Sequence, residues 1–224
     1  MRDHLRGIVD DALTRVRGER GLAIDIGSND GTLINYLQTF TSKVGFEPSD
    51  IEGDYGSAWR INDFFNTKDL NGEKANLIFA ISMFYDLDDP NAFLQDIQKV
   101  LAPDGLFVIQ QNYLPAMLEN NAVDNICHEH LCYYSLYTLD KLLIKNGLEI
   151  VDYSFNDLNG GSFRVYVKHS DNPQPADFPE EGKLMLHTLA PYKAFRDRVA
   201  EIAYRLQTFI PMEKMEGSTT YIYG

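Results

Sequence analysis

The chain has 224 residues, 44% of them hydrophobic, with 33 Asp and Glu against 20 Lys and Arg, for a formal charge of −13. That length and apolar content suffice for one well-buried core, and the acidity argues against a nucleic-acid surface. Cys127 and Cys132 are the only cysteines, which rules out a disulfide framework. No apolar run approaches the ~20 residues that a membrane span needs.

The opening "MRDHLRGIVDDALTRV" reads as a charged amphipathic helix rather than a signal peptide, so a cytoplasmic protein is expected. From Gly21 to about Gly147 strand and helix patterns alternate. "GLAIDIG" is a buried strand and "TLINYLQTF" the helix after it. "KVGFEPS" is a second short strand that ends in an acidic residue, and "ANLIFAIS" has the continuous apolar run of a strand covered on both faces. "PNAFLQDIQKVLAPDG" is a helix opened by Pro90, with Asp88 or Asp89 as its cap and a Pro-Asp-Gly stop. A strand, "LFVIQQN", and a helix, "SLYTLDKLLIKNG", follow. Two last strands, "LEIVDYSFND" and "GSFRVYVKH", are joined through Asn159, Gly160 and Gly161, a connection short enough to make them antiparallel.

This alternation predicts a doubly wound, Rossmann-like α/β fold: a mostly parallel seven-stranded sheet, antiparallel at one edge, with helices on both faces. Residues 1–170 are expected to form that domain. Beyond it, 171–224 should hold a Pro-rich linker from Ser170 to Pro179, one long helix over "EGKLMLHTLAPYKAFRDRVAEIAYRLQTFI", and a closing strand, "STTYIYG", that opens a truncated unit.

The first strand runs into "DIGSNDG", which places Asp25, Gly27, Asn29, Asp30 and Gly31 where open α/β sheets bind ligands. Glycines there let the backbone approach a ligand. Asn29 stands where a dinucleotide fold has its second glycine, which argues against a nicotinamide-dependent oxidoreductase. Two loop carboxylates would repel a pyrophosphate, but they suit a ligand with a positive centre such as S-adenosylmethionine. Glu47 is placed to accept both ribose hydroxyls, Asp63 to meet the adenine amino group, and Phe64 to pack on the ring.

"DIGSNDGTL", "GFEPS", "MFYDLDDPNAF", "LAPDGLFVIQ", "NICHEHLCYYS" and "NGGSFRVYV" together resemble the class I sugar C-methyltransferases, which methylate carbon 3 of nucleotide-linked 4-keto-deoxysugars. The resemblance implies that the glycine loop and Glu47 bind the donor and that Ser82 and Met83 lie beside its methionine part. It implies His130 as the catalytic base with Glu129 beside it, and Arg164 facing an anionic nucleotide-sugar substrate. Two departures stand out: Cys127 occupies the position before H-E-H that is often tyrosine, and no C-x-x-C pair marks the N-terminal zinc lobe that such enzymes commonly carry. The sequence therefore resembles the middle of a larger enzyme, without that lobe and without most of a C-terminal one.

Cys127, His128, His130 and Cys132 invite a metal reading, but all four lie within one short run, whereas a structural zinc site draws its ligand pairs from two converging segments. No metal is expected. The bland alternative is a set of polar strand-end side chains bonded to backbone. Catalysis is favoured because the cluster follows the fifth strand, on the sheet edge that carries the glycine loop. A histidine of ordinary pKa, about 6.5, suits removal of a proton beside a ketone near neutral pH. His128, Asn112 or Tyr133 would then support the enolate oxygen. Tyr113 and Met117 read equally as core or as substrate cover. The expected function is methyl transfer to a sugar carbon, with sugar O-methylation and a non-catalytic donor-binding fragment as alternatives.

Overall fold

A computed structural model describes residues 1–215, 217, 219 and 221. Seven strands form one sheet in the order β3-β2-β1-β4-β5-β7-β6. They are β1 (Leu22–Ile26), β2 (Ser42–Phe46), β3 (Trp59–Ile61), β4 (Ala75–Ile81), β5 (Leu101–Asn112), β6 (Leu148–Asn156) and β7 (Ser162–His169). Strands β1 to β5 pair in parallel, and β7 runs antiparallel to both β5 and β6. The reversed strand therefore lies one place in from the edge, and β6 forms the edge. The short connection from Asn156 to Ser162 makes β7 fold back beside β6, and β7 then inserts against β5. Strand β3 has no apolar run to mark it: it is short, pairs only with β2, and carries an exposed Trp59.

Helices cover both faces. The helix α1 (Arg2–Arg15) lays Ile8, Val9 and Ala12 on one face, against Ala23, Leu77, Phe79, Leu106, Val108 and Tyr166. The spacing i, i+1, i+4 gives α1 a single apolar stripe, which the sheet buries. The other face receives Phe93, Leu94 and Ile97 of α2 (Pro90–Val100), together with Leu136, Leu139 and Leu143 of α4 (Leu136–Lys145). Asp89 caps α2, its carboxylate accepting from the amides of Asn91 and Ala92 at 3.0 Å each. Ser135 and Thr138 cap α4 reciprocally. A short helix, α3 (Leu114–Asn120), follows β5.

Two elements differ from expectation. The helix expected after β1 is a single 3₁₀ turn, Ile34–Tyr36, set among other turns. Leu33, Ile34, Leu37 and Phe40 are buried at helical spacing, yet the backbone closes i→i−3 bonds: Tyr36 to Leu33, Leu37 to Ile34, Phe40 to Leu37. The adjoining face is already occupied by α1, and Asn35 is drawn away to the carbonyl of Asp54.

The long C-terminal helix is in fact two, α5 (Pro179–Lys183) and α6 (Ala190–Met215). Pro191 can begin a helix but cannot continue one from the turns before it, where Met185 takes φ +50°. The stretch from Ser170 to Phe178 has no regular structure, but it is anchored: Phe178 joins the core and the Ala176 amide bonds Asp140. Glu181 then places one oxygen 2.6 Å from the amide of Leu136 and the other 2.9 Å from that of Tyr137, at the N-terminus of α4. Phe195 of α6 packs with Met117 and Leu118 of α3. The closing strand expected over Ser218–Gly224 falls largely outside the described residues.

Candidate active site

At the carboxyl ends of β1, β2 and β4 the sheet opens into a cleft of about 570 Å³. Its wall includes Asp25, Gly27, Ser28, Asn29, Asp30, Glu47, Ser82 and Met83, with Arg2 and Leu5 of α1. The glycine loop is set by backbone. The amides of Gly27 and Ser28 both donate to the Phe46 carbonyl, at 2.9 and 3.0 Å, which turns the chain sharply off β1. Gly31 takes φ +77°, and a Cβ there would run into the Asp54 carbonyl, so glycine is required.

Glu47, just past β2, accepts from Asn29 N at one oxygen and Ser49 N at the other, both at 2.9 Å. Burial alone would raise its pKa. The side chain and amide of Ser49, the amide of Asn29 and the charge of Arg60 outweigh burial and hold the carboxyl below its ordinary range. Each oxygen keeps further acceptor capacity, and Glu47 lines the cleft.

Asp25 differs. It is 3% exposed, and no hydrogen bond reaches its carboxylate among the described residues. Burial, with the nearby Glu47 charge adding to it, pushes its pKa up to about 7. A buried carboxylate without a donor is costly unless a cation or donor meets it. The cleft thus holds an acceptor waiting for a donor-bearing or positively charged ligand, within the 300–1,000 Å³ typical of small-molecule sites.

Asp63 and Phe64 are not brought to this wall. The chain leaves the sheet after the short β3, Asp63 bonds back to the Phe64 amide at 2.8 Å, and Phe64 is 75% exposed. Asp30 also lines the cleft, and its carboxylate accepts from Thr32 N at 3.0 Å; the Thr32 side chain first, and then this amide, lower its pKa. Ser82 holds φ +55° and donates its amide to Gln110 O at 2.7 Å, while Met83 closes on Gly27.

The H-E-H segment follows a 3₁₀ turn, Val123–Asn125, and has no regular structure. Backbone bonds tie it down, from Cys132 N to Tyr85 O and from Leu114 N to Tyr134 O, both at 3.0 Å. The first of these fastens it to the turn that continues from Ser82 and Met83. His130 is half-buried, its ring 4.2 Å from that of Tyr85 and its Nδ1 2.9 Å from the Asn125 carbonyl oxygen. The Tyr133 hydroxyl donates to the same oxygen at 3.1 Å. Asn112, at the end of β5, donates its amide to Asn125 Oδ1 at 2.6 Å.

Other expected residues lie elsewhere. The chain bends here instead of running extended, so His128 is 90% exposed in its side chain and, among the described residues, its ring pairs with the exposed Glu129 at 3.4 Å. Tyr113 packs edge-on to Phe163 and against Phe155, while Met117 is buried with Phe195, which favours their core reading. Burial, with Glu181 adding to it, raises the Tyr113 phenol.

The expectation for Arg164 is corrected. Its guanidinium is 9% exposed on the α1 face and engaged with Gln110 Oε1 at 3.1 and 3.0 Å, Tyr166 OH at 3.3 Å and Asp11 at 3.4 Å. Alternation along β7 puts Arg164 beside Tyr166, on the side opposite Phe163 and Val165.

Some site residues were missed from the sequence. Ser28 sits inside the quoted glycine motif, but Arg2, Leu5, Tyr55 and Ile81 carry no local signal. Tyr55 reaches the loop by donating to Asn29 O at 2.7 Å. Among the described residues, no three His, Cys, Asp or Glu side chains converge as a metal would require, and no helix is long and apolar enough to cross a membrane.

A cleft at the strand ends of a β3-β2-β1-β4-β5-β7-β6 sheet, with a sharp loop after β1 and an acidic residue after β2, defines a class I methyltransferase. The family described as a methyltransferase domain matches residues 1–153, and the chain belongs to it; one described as a C-methyltransferase C-terminal domain matches 157–224. The chain is 29% identical over 239 residues to the C-methyltransferase NovU of Streptomyces niveus, covering 99% of this chain and 56% of NovU. It thus spans about half the length of that curated relative.

Solved structures share the fold. The methyltransferase bound to the Trm112 activator of Haloferax volcanii is 16% identical, with a TM-score of 0.62 over 78% of this chain and 92% of that one. An S-adenosylmethionine-dependent methyltransferase of Clostridium acetobutylicum is 10% identical, with a TM-score of 0.58 over 76% and 92%. The plantazolicin methyltransferase BpumL, solved with S-adenosylhomocysteine and a triazolic desmethylPZN analogue, is 11% identical, with a TM-score of 0.55 over 75% and 84%. The cofactor of this family is S-adenosylmethionine, and the orphan acceptor of Asp25 beside a glycine loop fits such a ligand.

Proposed function

We propose that the chain methylates a carbon of a nucleotide-linked keto-deoxysugar, with residues 1–170 as the methyltransferase domain and 171–224 as a linker, helices and the opening of a C-terminal unit. One observation carries the reading. His130 stands on a segment whose Cys132 amide bonds the Tyr85 carbonyl, in the turn that continues from the cleft-lining Ser82 and Met83, and its Nδ1 lies 2.9 Å from the Asn125 carbonyl oxygen.

S-adenosylmethionine supplies an electrophilic methyl group when bound. Asp25 meets the positive end of this donor, Glu47 accepts from its ribose, and Gly27, Asn29, Asp30 and Gly31 shape the loop around it. Ser82 and Met83 flank its methionine part. On the substrate side, His130 takes the proton from the carbon beside the ketone, because a carbonyl-held imidazole presents a bare nitrogen. The resulting enolate carbon is the nucleophile. Asn112 keeps a second N–H beyond its bond to Asn125, which suits it to the enolate oxygen better than the exposed His128. Arg164 is not carried forward as an anion contact, because Gln110, Asp11 and Tyr166 already engage it.

Incubation with isotope-labelled donor and a panel of nucleotide keto-sugars, read by mass spectrometry, tests the reading. Label on the sugar together with deuterium washout from the methylated carbon is expected. Labelled sugar without washout would move the reading to O-methylation. Donor binding with no labelled sugar across the panel would reduce the chain to a donor-binding unit.

A further inference from the structure

We propose that Asn125 is a positioning residue that holds the His130 imidazole in the tautomer needed for proton removal; this rests on the reading of His130 as the base. A carbonyl oxygen can only accept. The 2.9 Å approach of His130 Nδ1 to Asn125 O therefore places the ring hydrogen on Nδ1 and leaves Nε2 with its lone pair. No hydrogen bond occupies Nε2 among the described residues. The Tyr85 ring lies 4.2 Å from the imidazole and tilted to it, the Tyr133 ring stands 6.5 Å away edge-on, and Asp86 is close enough for its carboxyl to feel the ring charge.

The carbonyl itself needs support, because this segment belongs to no strand and to no helix beyond one 3₁₀ turn. The Asn125 side chain provides it. Buried at 6% exposure, it accepts from Asn112 Nδ2 at 2.6 Å and donates to Asn159 O at 3.1 Å. It thus bridges the end of β5 to the turn before β7. That turn lies flat on the segment: Gly160 takes φ +80°, and a Cβ there would come 2.9 Å from Ala122 Cβ. The job needs one donor and one acceptor at opposite sides of a short side chain, which asparagine offers. Aspartate keeps the acceptor and loses the donor, and alanine loses both.

The test is imidazole-nitrogen NMR on the full chain labelled with ¹⁵N-histidine, using His130→Asn to assign the ring. In its neutral form, wild-type His130 is expected to be almost wholly the Nδ1–H tautomer. Both Asn125→Ala and Asn125→Asp should give a tautomer mixture and a kcat lower by about 10- to 100-fold, with S-adenosylhomocysteine affinity unchanged. Asn125→Asp is close to isosteric and carries the test if the alanine variant does not fold. A wild-type Nε2–H tautomer, or unchanged tautomer and kcat in both variants while His130→Asn is inactive, would overturn the role of Asn125 alone. A shifted tautomer with unchanged turnover, matched by an active His130→Asn, would overturn the base assignment beneath it.

Discussion

The donor cleft and the H-E-H segment are linked through the turn after β4, yet they are held by different means. The cleft is built from strand ends. Its loop hangs on the Phe46 carbonyl and the Glu47 carboxylate, and its glycines answer steric demands of the backbone. The H-E-H segment has no ladder of its own. It rests on a ring contact with Tyr85, one backbone bond to that residue, and the asparagine bridge through Asn125. Binding and chemistry therefore have separate supports, and damage to one should spare the other.

His130→Asn is the sharpest way to test that separation. Losing a general base costs about 10²–10⁴ in rate, so single-turnover methyl transfer should fall by that order. Calorimetric affinity for S-adenosylhomocysteine should stay at wild type. A parallel loss of donor affinity would mean that the two regions are one unit. Glu47→Ala attacks the other side. It removes a charged acceptor from two amides, each such bond being worth about 1.5–3 kcal/mol, so donor affinity should fall more than tenfold and the melting temperature should drop. Tautomer and environment of His130, read by NMR, should be unchanged.

A smaller effect should follow pH. Burial places the Asp25 carboxyl at about 7 in the ligand-free fold, above its unfolded value. Its neutral form therefore favours folding: the contribution is complete below the ordinary carboxylate pKa of about 3.9 and is lost as pH rises through about 7. Ligand-free melting temperature should decline over that window, and less so in Asp25→Asn. Binding of S-adenosylhomocysteine near pH 7, seen in buffers of different ionisation enthalpy, should release a fraction of a proton that Asp25→Asn does not. The smallest effect is expected from Phe64→Ala. An exposed ring outside the cleft wall should change donor affinity by no more than about 0.5 kcal/mol. A tenfold loss there would show that Phe64 folds over the bound donor.

Much of the frame was legible in the chain itself. Continuous apolar runs such as "ANLIFAIS" can only be strands covered on both faces, and alternation with amphipathic segments leads to a parallel sheet with its ligand site after β1. Asp89, Pro90 and Ser135 mark helix starts because capping depends on neighbours in sequence. The glycine loop, Glu47, Ser82 and Met83 line a single cleft because each lies at a strand end, and strand ends are local features. What the chain could not disclose was decided by which surface each segment met. The apolar spacing of Leu33 to Phe40 is helical, but α1 had taken the face a helix would cover. Arg164 follows a suggestive glycine pair, yet the two-residue alternation of β7 turns it toward Asp11 and Gln110. Asn125 stands in plain view beside H-E-H and has no signal of its own, because its partners, Asn112 and Asn159, come from two other parts of the chain. Local propensity is a property of neighbours in sequence. The partner of a buried polar group is a property of the closed fold, where long-range contacts alone determine which donors and acceptors meet.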